Sequence, residues 1–88
     1  GNAKQRMIYL RNLIAKQEIY VAEFYLERKA FVAALTRADY VLKHMPKTPQ
    51  VKRALEIMII AYEELGQDVL KKDVEEALSK FKKNLNPS

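Results

Sequence analysis

Apolar residues recur at helical spacing along four successive segments of this 88-residue chain, which indicates amphipathic helices. The first segment, residues 7–26, carries two adjacent apolar stripes rather than one. An apolar face this wide is buried only if other parts of the protein pack on more than one side of the helix. We therefore expect it to contact both the next helix and a preceding element outside this fragment. The stripes comprise Leu10, Ile14, Val21 and Tyr25, flanked by Tyr9, Leu13, Tyr20 and Phe24.

A second helix is predicted over residues 30–44. A short break near Arg28 and Lys29 precedes it, and the following prolines, Pro46 and Pro49, stop it because proline disfavours helix at the residue before it. Its inward stripe contains small residues that let two helix backbones approach closely. The inward residues are Phe31, Ala34, Ala38 and Val41.

Two more helices are predicted in the second half of the chain. Thr48 is expected to cap the N-terminus of the third helix with Pro49 at its first position, and Gly66 is expected to end it. The fourth helix is predicted over residues 68–84. The inward residues predicted for these helices are Leu55, Met58, Ile59 and Tyr62, and Leu70, Val74, Leu78 and Phe81.

A tetratricopeptide-repeat (TPR) pattern overlies the first two helices. The residues that fit it are Glu18, Val21, Ala22, Tyr25, Ala34, Ala38 and Pro46. Tyr62 follows Tyr25 by 62 − 25 = 37 residues, the period of about 34 plus a few residues of loop. We therefore predict an all-α fold of two TPR-like helical hairpins that form part of an α-solenoid, although a generic four-helix bundle stays open. The single domain, 1–88, would hold one repeat over about 7–46 and another over about 48–84.

Charge and composition narrow the function classes. The chain has 16 basic and 11 acidic residues, a net charge of +5, and no cysteine, so disulfides and cysteine-ligated metals are excluded. No apolar run approaches the length of about 20 residues that spans a membrane. Residues 1–16 hold four basic residues and no acid, a pattern that suits an acidic protein surface, anionic lipid or nucleic acid. The alternative function is thus a basic helical nucleic-acid-binding module. The basic residues concerned are Lys4, Arg6, Arg11 and Lys16.

Catalytic chemistry finds no support in the residue types. His44 is the single histidine, and the two glycines do not form a phosphate-binding loop. We expect no catalytic, cofactor-binding or metal site, and no enzyme activity. Arg37 lies off the inward stripe of the second helix. It could fork onto a partner's carboxylate, or it could pair within the chain with Glu23 or Glu27.

The sequence resembles the BamD family, also called YfiO or ComL, of TPR lipoproteins in the outer-membrane β-barrel assembly machine. The resemblance covers about residues 6–80 and places the chain in the C-terminal two repeats of a longer protein. Lys29 departs from the family pattern, which often has glycine there. The matching residues include Val21, Ala22, Phe24, Tyr25, Arg28, Ala30, Phe31, Ala33, Ala34, Arg37 and Ala38, then Pro46, Thr48, Pro49, Ala54, Leu55, Met58, Ala61, Tyr62, Leu65 and Gly66.

The resemblance implies a function. A BamD-like chain is expected to be a non-catalytic scaffold at the periplasmic face of the outer membrane of Gram-negative bacteria, with its lipid anchor outside this fragment. The implied partners are a polypeptide-transport-associated (POTRA) domain of BamA and the accessory lipoproteins BamC and BamE, rather than nucleic acid. Arg37 matches the arginine that contacts BamA in the family, and Arg28 is expected to share its surface. The wide apolar face of the first helix also makes a homodimer of the fragment possible.

Overall fold

The structure, a computed structural model, describes residues 3–85. Within that range the chain forms α1 (Ala3–Glu27), α2 (Phe31–His44), α3 (Val51–Glu64) and α4 (Asp68–Leu85). Each helix packs on the next, and α1 also contacts α3. The connections are short, so neighbouring helices run antiparallel. The all-α, TPR-like fold predicted from the sequence is confirmed.

The two hairpins close with the same helix-ending turn. After α1, the Lys29 amide bonds to the Leu26 carbonyl at 3.0 Å and the Ala30 amide to the Tyr25 carbonyl at 2.9 Å, the two hydrogen bonds of a Schellman motif. Gly66 occupies the matching position after α3, and its motif repeats both bonds, at 3.1 and 2.9 Å. The left-handed residues, Lys29 at φ 63° and Gly66 at φ 71°, lie 66 − 29 = 37 residues apart.

The start of α3 differs from the prediction. The helix begins at Val51, two residues after the expected first position, and Gln50 is its N-cap residue without a side-chain capping bond. The Thr48 hydroxyl instead donates to the Met45 carbonyl at 2.9 Å, and Thr48 is buried. Its side chain therefore stabilises the turn between α2 and α3 and does not cap α3, because the helix begins three residues after Thr48 and Gln50 holds the N-cap position.

Small residues form the centre of the core. Alanines on three helices are fully buried, which brings the helix backbones close together, and Ile57 and Val41 are the largest side chains with no exposure. In α4, Val74 is buried as predicted, but Leu70 is 44% exposed and its predicted burial is wrong, because α4 contacts only α3. The fully buried alanines are Ala15, Ala22, Ala34, Ala38, Ala54 and Ala61.

Of the residues in the two predicted stripes of α1, Tyr25 packs partly buried against the core, but the fully buried positions of α1 belong to neither stripe. The buried residues of α1 are Ala15, Ile19 and Ala22, which lie on the side of the helix that meets α2 and α3. The opposite side keeps its apolar residues exposed, since nothing in the described chain covers it. The repeat pattern had marked Ala22 as a small residue, whereas the apolar stripes gave weight to the large residues and left out Ala15 and Ile19, which are also buried. The exposed large residues of α1 are Met7, Ile8, Tyr9, Leu10, Leu13, Ile14, Tyr20 and Phe24.

Candidate functional site

The outward side of α2 carries the arginine singled out from the sequence. Arg37 Nη1 lies 3.2 Å from Glu18 Oε2, an ion pair that joins α2 to α1. The Glu18 side chain is 18% exposed and the Arg37 side chain 45% exposed. The Glu18 carboxylate is therefore mostly buried between the two helices, while almost half of the Arg37 side chain is exposed to solvent.

The geometry leaves part of the Arg37 guanidinium available. A guanidinium has five N–H donors in a planar fork, and the structure records one of its nitrogens on Glu18. A second carboxylate can thus approach the outer edge of the fork without displacing the first. The ion pair with Glu18 already restricts the rotamers of Arg37 in the free chain. Arg37 therefore loses less side-chain entropy when a partner binds.

Tyr40 extends this surface and was missed by the sequence analysis. It lies three residues after Arg37 on the same side of α2, it is 42% exposed, and it lines a shallow depression with Glu18, Thr36 and Arg37. The His44 ring stacks against it at a centroid distance of 4.5 Å. Tyrosine and arginine are enriched among residues that dominate interface energies. The i, i+3 spacing from Arg37 was the available signal.

The carboxylate that Arg37 binds was also predicted incorrectly. Glu23 and Glu27 lie five and nine residues beyond Glu18, about 7.5 and 13 Å nearer the hairpin turn at 1.5 Å per residue. Glu23 pairs instead with Arg53 of α3, whose Nε lies 2.6 Å from its Oε1. In an antiparallel hairpin, residues that face each other are about equally far along the chain from the turn. Arg37 of α2 therefore faces Glu18 of α1, not the two glutamates nearer the turn.

The ion pair with Glu23 changes the pKa of Arg53. The hydrogen bond from Arg53 to Glu23 is the main cause that raises the pKa of the Arg53 guanidinium above its ordinary value. A raised pKa means that this contribution to stability is fully present below the ordinary pKa of arginine and is lost only as pH rises through the higher folded value. At neutral pH Arg53 is therefore a constant cation that ties α3 to α1.

Arg28 occupies a different position from Arg37. Its guanidinium carbon lies 4.1 Å from the centroid of the Phe24 ring, a cation–π contact on the last turn of α1. The described contacts of Arg28 and Arg37 have no residue in common. The structure thus gives the two arginines separate partners, and a binding surface shared by both stays a prediction.

No candidate metal site is found among residues 3–85. No group of three or more His, Asp or Glu side chains in that range could hold a metal ion. His44 is exposed at the end of α2, as expected. No helix described by the structure has the length and apolarity required to cross a membrane.

Comparison with known proteins gives one consistent result. The family model described as "YfiO: Outer membrane lipoprotein" matches residues 1–83. The outer membrane protein assembly factor BamD of Vibrio cholerae is 38% identical over 65 residues, which cover 74% of this chain and 27% of the relative. BamD of Haemophilus influenzae is 35% identical over 77 residues, 88% of this chain and 29% of the relative. BamD of Neisseria meningitidis serogroup A is 32% identical over 78 residues, 89% and 29% respectively. The chain thus spans less than a third of the length of these curated relatives.

Proposed function

The chain belongs to the YfiO family of outer membrane lipoproteins, and from that premise we propose that it is a non-catalytic protein–protein interaction scaffold in outer membrane protein assembly. The relatives are named as assembly factors, and assembly requires a surface that binds other proteins. The proposal places the chain at the periplasmic face of the outer membrane, in the C-terminal TPR region of a BamD-like protein.

The exposed guanidinium of Arg37 is the observation that supports this proposal best. It is half-exposed, held from behind by Glu18, and flanked by the exposed Tyr40. This arrangement suits a partner that presents a carboxylate beside an apolar patch. We propose that the partner is an acidic surface of a BamA-like POTRA domain, with Arg37 at the centre of the contact.

The test compares two arginines that form similar ion pairs. Arg37→Ala is expected to weaken binding to purified POTRA domains about thirtyfold or more, since loss of a buried interfacial charge contact costs at least about 2 kcal/mol. Arg53→Ala is the matched control, because it removes an ion pair between α1 and α3 that shares no residue with the Arg37 pair. Its binding is expected to equal that of the wild type.

Calorimetric titration of each variant, with circular dichroism as the check of folding, measures both effects. Equal affinities of the folded Arg37→Ala variant and the wild type would refute the assignment of Arg37. Arg37→Lys separates charge from geometry: a lysine keeps the charge but cannot bind two carboxylates in a plane. We expect it to recover only part of the affinity.

Arg28 is proposed as a secondary contact. Its charge lies over Phe24, so a partner that reaches the end of α1 meets a cation backed by an apolar ring. Arg28→Ala is expected to weaken POTRA binding less than Arg37→Ala does, in the same titration. BamC- and BamE-like lipoproteins are proposed as further partners, and pull-down with each, wild type against both variants, tests them.

Self-association through α1 is proposed for the isolated chain. An antiparallel pair of α1 helices would cover the exposed apolar side of each helix, which nothing in the described chain covers. The exposed Leu13 and Tyr20 lie near the middle of such a pair. Sedimentation is expected to show a dimer that Leu13→Ser with Tyr20→Ser converts to a monomer; a monomeric wild type at high concentration would disprove it.

Nucleic-acid binding receives no support from the comparisons, since the family model describes an outer membrane lipoprotein and the relatives reported above are outer membrane protein assembly factors. The basic residues at the start of α1 therefore require another explanation.

A further inference from the structure

We propose that a notch at the start of α1 binds an acidic polypeptide segment that presents an apolar side chain between carboxylates. The notch has a volume of about 440 Å³, and it is lined by Lys4, Met7, Ile8, Arg11, Asn12, Lys47 and Thr48. It shares no residue with the Arg37 surface, and the inference goes beyond the proposed POTRA contact.

The notch exists because α1 is longer than its partners. With 25 residues against 14 in α2 and in α3, α1 extends about 16 Å further at 1.5 Å per residue. Its first turns pass the connection between α2 and α3, and this connection, residues 45–50, forms the other wall. The buried Thr48, bonded to the Met45 carbonyl, keeps that wall in a fixed shape.

The floor of the notch is an uncovered continuation of the core. Ile8, Ala15 and Ala22 are spaced seven residues apart and lie on one side of α1. Ala15 and Ala22 are fully buried by α2 and α3, but Ile8 is 51% exposed, and its neighbour Met7 is 54% exposed. Apolar side chains on the inward side of a helix that no described residue covers favour an apolar ligand group.

The rim of the notch has a single sign of charge. Lys4 and Arg11 lie on one wall and Lys47 on the other, all three are exposed, and none forms an ion pair with the described side chains. The chain has no acidic residue in 1–17 or in 45–50. Like charges around a concave apolar floor raise the local concentration of acidic ligands, so the occupant combines carboxylates with an apolar group.

A polypeptide fits this chemistry better than nucleic acid or lipid. The lining contains no aromatic side chain on which a base could stack. The site is recessed between two walls, whereas helices that lie on a membrane present a convex apolar face to it.

The test uses an acetylated and amidated hexapeptide with a Leu-Phe centre and two glutamates on each side. Titrated into the isotope-labelled chain, it is expected to shift the amide resonances of Met7, Ile8 and Lys47 and to leave those of Arg37 unchanged. A peptide with lysines in place of the glutamates, and one with a Gly-Gly centre, are expected not to bind.

Two variants of equal net charge locate the site. Lys4→Gln with Arg11→Gln and Lys47→Gln is expected to weaken binding about tenfold, which corresponds to about 1.4 kcal/mol for the three changes together. Lys52→Gln with Lys72→Gln and Lys80→Gln removes the same charge elsewhere and is expected to bind as the wild type does. Ile8→Ser tests the floor and, since Ile8 is half-exposed, leaves the fold intact.

Three results would overturn the proposal. The first is an equal loss of peptide affinity in the two triple variants. The second is binding of the lysine peptide as tight as that of the glutamate peptide. The third is a set of amide shifts that leaves out Met7, Ile8 and Lys47. Tighter binding of oligothymidine or of phosphatidylglycerol vesicles through the same residues would reassign the notch to phosphates and would also overturn it. None of these results depends on POTRA binding, so the two proposals can fail separately.

Discussion

Replacing Lys29 with glycine is expected to stabilise the protein. Lys29 has φ 63°, a left-handed conformation in which the β-carbon of a non-glycine residue comes too close to the backbone, at a cost of roughly 1–2 kcal/mol. The two hydrogen bonds of the Schellman motif fix this conformation, so the lysine cannot relax without losing them. Gly66 occupies the same position after α3 without that strain.

The net gain is smaller than the strain, because glycine also gains freedom in the unfolded chain. That entropy costs roughly 0.5–1 kcal/mol, which leaves a stabilisation of about 0.5–1 kcal/mol for Lys29→Gly. The converse change, Gly66→Ala, is expected to cost about 1 kcal/mol. An added β-carbon at Gly66 meets nothing within 4 Å, so this variant measures backbone strain without a steric clash.

Urea unfolding followed by circular dichroism measures these differences in the free energy of unfolding. Thermal unfolding gives a second measurement, in which each kcal/mol moves the midpoint temperature by roughly 4–8 °C in a domain of this size. Lys29→Ala is the control, because it removes the lysine side chain but keeps the β-carbon, and it should give no gain. Lys29→Gly with Gly66→Ala should be additive, since the turns lie in different hairpins. A gain from Lys29→Ala equal to that from Lys29→Gly would refute the role of backbone strain.

Three further changes test the packing of the helices. Ile57→Val removes one methyl group from a fully buried side chain and is expected to cost about 1 kcal/mol of unfolding free energy, whereas Ile60→Val, on the same helix and 41% exposed, should cost less than about 0.5 kcal/mol in the same urea series. Ala38→Leu overfills the contact between helices and is expected to lower the free energy of unfolding by about 1–3 kcal/mol; an unchanged midpoint would contradict close packing there. A double-mutant cycle of Glu23→Ala and Arg53→Ala should give a coupling of about 0.5–1 kcal/mol that decreases in high salt, and a salt-independent coupling would contradict an ion pair.

The local structure was predictable where a residue type dictates a backbone conformation. Gly66 marked the end of α3 because it reaches positive φ without strain, and the proline-containing segment marked the end of α2. The inward stripe of α2 was also correct, since Ala34, Ala38 and Val41 recur at helical spacing and are fully buried. Thr48 was not predictable in the same way, because whether it caps α3 depends on the residue at which the helix begins, and the turn between α2 and α3 places that start at Val51.

The sequence by itself determined four helices, their approximate ends and the family resemblance. Those features depend on neighbours along the chain and on residue types that act locally. Only the tertiary structure decided which side of α1 faces the core, because α1 is apolar on both sides and periodicity cannot choose between them. It also decided that Arg37 pairs with Glu18 and Arg53 with Glu23. Which residues of two neighbouring helices face each other depends on how far one helix is shifted along its axis relative to the other, and the turn between them sets that shift.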